Sequence, residues 1–227
     1  MELQFREKEI FKTLKKLKNF KFVIIGGYAV NVYTLPRFSV DCDLVVNGQK
    51  ELKNIEKELS RLSYVENRDT NKVPYHGNFK RYEKRIDNGF MVSIDLLINE
   101  VSDRETDSVF SADWIFENSK VRILRGKTIT EELKLRIINP DALFAMKMSS
   151  CRINDIRDIF LLVVHVENKK WIKEEISKRY SFEDRFEKVK KEIISKQFKD
   201  DLQGVFGFVP EKVFERHKKL ILDLTEE

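Results

Sequence analysis

Val23-Ile24-Ile25-Gly26-Gly27-Tyr28-Ala29, followed by Arg37-Phe38-Ser39-Val40-Asp41-Cys42-Asp43-Leu44-Val45, is the stretch whose reading decides the fold. Ile24 and Ile25 end an apolar, β-like run, and the two glycines after them permit backbone angles and close approaches that side chains block. A helical pattern begins at about Tyr28. Free backbone N–H groups and the positive end of a helix dipole therefore belong beside the turn, where they suit an anion such as phosphate. Further on, polar Arg37, Ser39, Asp41 and Asp43 alternate with Phe38, Val40, Cys42 and Leu44. A period of two predicts a strand with the four polar residues on one face and the other four in a core. Two carboxylates at i and i+2 on one face repel each other unless a cation sits between them, and a divalent metal is the simplest such cation. The pattern asks for a metal-bound nucleotide.

The same residues resemble the signature of the polymerase-β-type nucleotidyltransferases: an apolar strand, a Gly-Gly or Gly-Ser turn, an Asp-x-Asp strand, and a third carboxylate on a neighbouring strand. Val92-Ser93-Ile94-Asp95-Leu96-Leu97-Ile98 supplies the third strand, with Asp95 the only charge in an apolar run. The Arg-x-Ser-x-Asp-x-Asp form is most similar to the AbiEii-like and MenT-like branch, known mainly from toxin–antitoxin loci. A second match lies in Asn139-Pro140-Asp141-Ala142-Leu143-Phe144-Ala145-Met146-Lys147 and then Arg152-Ile153-Asn154-Asp155-Ile156-Arg157-Asp158. Members of that branch carry a similar helical lysine, then an arginine, then Asp-x-x-Asp. The resemblance covers residues 20 to 165.

Each element also has a plainer reading. Gly26-Gly27 alone fits an ordinary strand-to-helix turn, Asp41 and Asp43 the solvated face of an edge strand, and Asp95 a buried carboxylate tied to a backbone N–H. Asn139-Pro140 reads as an N-cap followed by proline at the first helical position, which puts Lys147 about two turns into a helix. Its ammonium either reaches a triphosphate or snorkels at the surface. Asn154 or Asp155 either joins that site or caps a helix over Ile156–Val166, and Asp158 either shares the face of Lys147, eleven positions earlier, or favours a first helical turn.

A chain of 227 residues can bury a substantial core. Charged residues make up 36% of it, yet the net charge is only +5, so both signs are interspersed. Two cysteines exclude a disulfide framework, Cys42 is expected in the core beneath the aspartates, and no run approaches membrane-spanning length. The opening residues lack the apolar centre of a signal peptide, so a soluble, cytoplasmic protein is expected. The periodicity predicts helices over 3–18 (Leu3, Ile10, Leu14, Leu17), 28–34 and 49–63 (Leu52, Ile55, Leu59, Leu62), and strands over 21–25 and from Arg37 to Val46. A hairpin over 79–86 and 90–98 turns at Asp87-Asn88-Gly89, short strands fall near 121–124 and 133–138, and everything from Pro140 onward reads as helix. Basic and aromatic residues interleave from Tyr75 to Tyr82, either to meet nucleic acid or as an ordinary cross-strand face.

The expected fold class is α/β (α+β): a small mixed sheet flanked by helices, residues 1–138, then an all-helical region, 139–227, completing a cleft. The resemblance implies nucleotidyl transfer from an NTP to a hydroxyl acceptor with Mg²⁺ or Mn²⁺. Asp41, Asp43 and Asp95 would be the metal ligands, Gly26 and Gly27 would cradle the phosphates, and Arg37, Ser39, Lys147 and Asp158 would complete the site. A tRNA or other RNA 3′ end and a cognate antitoxin protein are the partners it implies; a non-catalytic nucleotide- or RNA-binding module, or the partner of a second protein, is the alternative.

Overall fold

A computed structural model describes residues 2–69, 74–86 and 89–225. The chain divides into two compact units, Met1–Val32 with Pro36–Asn139, and Tyr33–Leu35 with Pro140–Glu227.

The first unit is a mixed seven-stranded sheet. Its strands are β1 (Val23–Ile24), β2 (Asp41–Val46), β3 (Val65–Asn67), β5 (Phe79–Arg85), β6 (Met91–Ile98), β9 (Ser119–Leu124) and β10 (Leu133–Ile138), in the order β3-β5-β6-β2-β1-β10-β9. β2 runs parallel to β6 and β1 parallel to β10, while the remaining neighbours are antiparallel. Helix α1 (Glu2–Leu17) packs on β6 and on α3 (Gln49–Arg61). Ile10, Phe11, Leu14 and Leu17 of α1, and Leu52, Ile55 and Leu59 of α3, recur at helical spacing and are buried. Leu3, in the first turn of α1, shares that face but is exposed. Buried Glu7 of α1 accepts hydrogen bonds from the backbone N–H groups of Lys127 (2.6 Å) and Thr128 (2.9 Å), which fastens the β9–β10 connection to the helix. A second, three-stranded sheet, β4 (Tyr75–His76), β7 (Glu100–Asp103) and β8 (Val109–Ser111), precedes a short helix, α4 (Ala112–Glu117).

Three expectations need correction. The strand carrying Asp41 begins at Asp41 and not at Arg37. The side chain of Asn31 accepts from the Arg37 N–H (3.0 Å) and donates to the Arg37 carbonyl (2.7 Å). This side-chain clasp takes the hydrogen bonds a ladder would use, so the segment folds back as a loop. Of the four apolar alternates only Cys42 and Leu44 enter the core; Phe38 is half-buried and Val40 exposed. The first strand is shorter than 21–25, and the helix after it starts at Gly26 itself: α2 spans Gly26–Tyr33. β3, the small sheet and α4 were not foreseen. Asp87 and Asn88 of the expected hairpin turn lie outside the described residues, but the strands flanking them pair as expected, Arg85 opposite Met91.

The second unit is helical: α5 (Pro140–Ser150), α6 (Ile153–Leu162), α7 (Lys169–Ser177), α8 (Phe182–Ile193), α9 (Lys196–Phe206) and α10 (Glu211–Leu222). Asn168, Ser181 and Ser195 cap α7, α8 and α9 by accepting from the N–H groups of Trp171, Asp184 and Phe198. Phe160 anchors the core against Phe198 and Phe214, at ring separations of 5.2 and 5.0 Å. Among the described residues no helix is long and apolar enough to cross a membrane.

Candidate active site

Parallel pairing of β2 with β6 sets Asp43 beside Asp95 and Asp41 beside Ser93. Residues two apart on a strand share a face, so Asp41, Asp43 and Asp95 all project from one side of the sheet. The three differ in exposure: the Asp41 side chain is 40% exposed, Asp43 8% and Asp95 1%. Ser93 Oγ donates to Asp41 Oδ1.

The glycines fit against this acidic edge. Gly26 has φ +63°, and a Cβ there would lie 1.9 Å from Asp43 Oδ2. A Cβ on Gly27 would lie 2.6 Å from Ser39 Oγ and 3.3 Å from Arg37 Nη2. Only glycine at both positions lets the carboxylate, the hydroxyl and the guanidinium close in on the first turn of α2. Although Arg37 and Ser39 are off the strand, they are gathered at the same turn; Ser39 Oγ donates to the Asp41 carbonyl (3.2 Å) and its own carbonyl accepts from the Tyr28 hydroxyl (3.4 Å).

One residue of this edge was not singled out beforehand. Arg81 on β5 stands opposite Asp95 across the β5–β6 ladder. Its Nε donates to Asp95 Oδ1 at 2.8 Å and its Nη2 to Asp95 Oδ2 at 2.7 Å, with Asp41 Oδ2 3.5 Å from the same Nη2. Burial pushes the Asp95 carboxyl up to about 6 and outweighs the guanidinium, which pulls the other way. Burial would lower Arg81, but its bond to Asp95 more than reverses that and holds it above the ordinary range. The register was a usable signal: 81 and 95 are equidistant from Asn88, the centre of the Asp-Asn-Gly turn. Lys80 and Tyr82, also in the basic–aromatic stretch, are both taken up by Glu56 of α3 (2.5 and 2.9 Å).

Among the described residues no group of three or more His, Cys, Asp or Glu side chains is arranged to hold a metal by itself. Asp41 and Asp43 nonetheless fit a small hard cation. Magnesium is commonly held by one or two carboxylates and completes its shell with water and substrate phosphate. Asp95 differs, since Arg81 takes both of its oxygens.

Lys147 and Asp158 belong to the second unit. Lys147 Nζ lies 2.6 Å from Asp155 Oδ1 and 3.0 Å from Asp158 Oδ2, and its side chain is only 15% exposed, which excludes a snorkelling surface lysine. Asp155 also accepts from Ser150 Oγ (2.7 Å) and from the Arg152 backbone N–H at the start of α6 (3.3 Å). Burial raises its pKa, but Lys147, Arg152 and these hydrogen bonds outweigh that and hold it below the usual carboxylate range.

A family model described as "Nucleotidyl transferase AbiEii toxin, Type IV TA system" matches residues 14–225. The chain belongs to the AbiEii family. Among solved structures, ANT(2″)-Ia in complex with adenylyl-2″-tobramycin aligns with a TM-score of 0.50 and 14% identity, over 80% of this chain and 99% of that one. JHP933 from Helicobacter pylori aligns with a TM-score of 0.46 and 17% identity, over 98% of this chain and 88% of the other. No curated protein matches the chain. For this AbiEii nucleotidyltransferase, the first of these likenesses bears on the fold alone.

Proposed function

We propose that the protein transfers a nucleoside monophosphate from an NTP to a hydroxyl acceptor. The acceptor oxygen bonds the α-phosphorus, the bond to the β-phosphate breaks, pyrophosphate leaves and the hydroxyl proton passes to water. One observation carries this reading: the Asp43 carboxylate lies against a Gly26 turn that a single methyl group would fill. That contact couples a cation-seeking edge to a phosphate-seeking helix start.

Asp41 and Asp43 would hold Mg²⁺ or Mn²⁺, ions that select carboxylate oxygen. When bound, the ion offsets charge on the α-phosphate and the departing pyrophosphate. Gly26 and Gly27 would admit the β- and γ-phosphates to the N–H groups at the start of α2, with Arg37 and Ser39 flanking them. The two-ion form implied by the resemblance would add Asp95 as a ligand, and would have to break the Arg81 bonds to both of its oxygens. In the helical unit, Lys147 is braced by Asp155 and Asp158. The family description supports a toxin countered by a cognate antitoxin protein; a tRNA or other RNA 3′ end is the acceptor this reading adds.

The test incubates the protein with Mg²⁺, each labelled NTP in turn and total cell RNA, alongside thermal melts with metal, nucleotide or both. The expected result is label in RNA of tRNA size, with the metal–nucleotide pair stabilising more than either component alone. Stabilisation without transfer would make the chain a nucleotide-binding module. Neither effect would overturn the reading.

A further inference from the structure

We propose that Arg81 takes the place of a second divalent cation beside Asp95, so that the site binds a single Mg²⁺ or Mn²⁺ ion on Asp41 and Asp43. The inference rests on the reading of those two carboxylates as the metal–nucleotide edge.

The fork of a guanidinium matches a carboxylate in two parallel bonds, and Arg81 engages both Asp95 oxygens that way, at 2.8 and 2.7 Å. Asp95 is 1% exposed, so its carboxylate has no solvent-facing side on which an ion could be added. Arg81 cannot swing away with its backbone, because β5 is paired on both sides, with Asp95 on β6 and Asn67 on β3. A divalent ion on Asp95 would have to displace the guanidinium or sit against it. Displacement would break both bonds of the Arg81–Asp95 ion pair, and juxtaposition would oppose like charges in a poorly screened place. Asp41 is different: Ser93 takes one of its oxygens, Arg81 approaches the other at only 3.5 Å, and the side chain is 40% exposed. The fixed cation thus serves the inner carboxylate and leaves the outer edge to a mobile one. Arg81 is in this sense a positioning residue, which holds Asp95 and sets how many ions the face accepts.

Counting ions decides it. Mn²⁺ is titrated into the full chain with saturating non-hydrolysable NTP analogues, and bound ions are counted by electron paramagnetic resonance and calorimetry. The parent protein is expected to bind one Mn²⁺ per chain. Arg81→Gln is expected to gain a second, with affinity raised at least about tenfold, the scale on which groups around a metal site tune it. The double variant with Asp95→Asn is expected to lose that second ion. Two ions in the parent, or one in a folded Arg81→Gln, would overturn the inference and leave the Asp41–Asp43 reading standing. If Arg81→Gln does not fold, Asp95→Asn alone decides: it keeps one ion if Arg81 is the cation for Asp95, whereas a fall in the parent's Mn²⁺ count overturns the proposal. Absence of Mn²⁺ binding with every analogue would sink the underlying reading, and the inference with it.

Discussion

The two units each bury a carboxylate against a cation, with opposite consequences. On the sheet, Asp95 faces a single guanidinium, and burial prevails: its carboxyl rises to about 6. In the helical unit, Asp155 meets Lys147, Arg152 and the Ser150 hydroxyl, and the partners prevail: its carboxyl falls. Depth does not separate the two, since both are almost fully buried. The number of donors does. The helical cluster balances Asp155 and Asp158 with Lys147 and Arg152, as a structural brace should. The sheet places three carboxylates on one face and is the unit with room for an added cation.

The sharpest way to break the contrast is Lys147→Ala, which strips the brace from two buried aspartates. Loss of one partner of a buried pair costs about 3–5 kcal/mol, so denaturant unfolding should show a shift of that order. A change under about 0.5 kcal/mol, as for a surface site, would show that the cluster is not what holds α5 to α6. Asp43→Asn should act in the reverse sense. Metal-dependent NTP binding and transfer should fall at least about 10²-fold, measured with labelled NTP, while the metal-free protein melts no lower than the parent because carboxylate repulsion is relieved. Undiminished transfer would move the chemistry away from this edge.

Gly26→Ala comes next in size. Its φ of +63° and the 1.9 Å approach to Asp43 Oδ2 combine backbone strain with a clash. A loss of about 1–3 kcal/mol in chemical denaturation is expected, together with weaker NTP binding. An alanine variant of parental stability and affinity would mean that the turn is not a cradle.

The smallest effect is on pH dependence. Asp155 is held below its ordinary 3.8, so its contribution is fully present above that value and is lost as pH falls through the lower folded pKa. Trp171, at the start of α7, should report acid unfolding of the helical unit only below about pH 4, and Asp155→Asn should flatten that limb. A parental acid limb in that variant would assign the titration to another group.

Much of the fold could be read locally. The stripes of α1 and α3 could be read because 3.6-residue periodicity is a property of neighbours in sequence. The β5–β6 pairing could be read because a short turn fixes both strands. The glycine turn and the Asp41–Asp43 face were visible for the same reason, whereas Arg37 and Ser39 were site candidates through the resemblance and only the fold brings them to Gly27. The loop over Arg37–Val40 could not be read that way. Its alternation imitates a strand, and only the clasp of Asn31, six residues before Arg37, decides against one. β3 and the small sheet escaped notice because strands of two to four residues carry too little pattern to stand out from loop.

The amino-acid sequence by itself determined which residues could form a metal–nucleotide edge, since residue type, order and strand period set charge and face without reference to the rest of the chain. Tertiary structure decided how closely those charges are balanced. Arg81 became the partner of Asp95 through the β5–β6 register, and Lys147 the partner of Asp155 and Asp158 through the packing of α5 on α6. Pairing of that kind depends on separations of a few ångströms between residues 8 to 14 positions apart, and on how much water is left around them. Neither quantity is written in the order of the residues; both arise only when the chain has closed on itself and the solvent has been excluded.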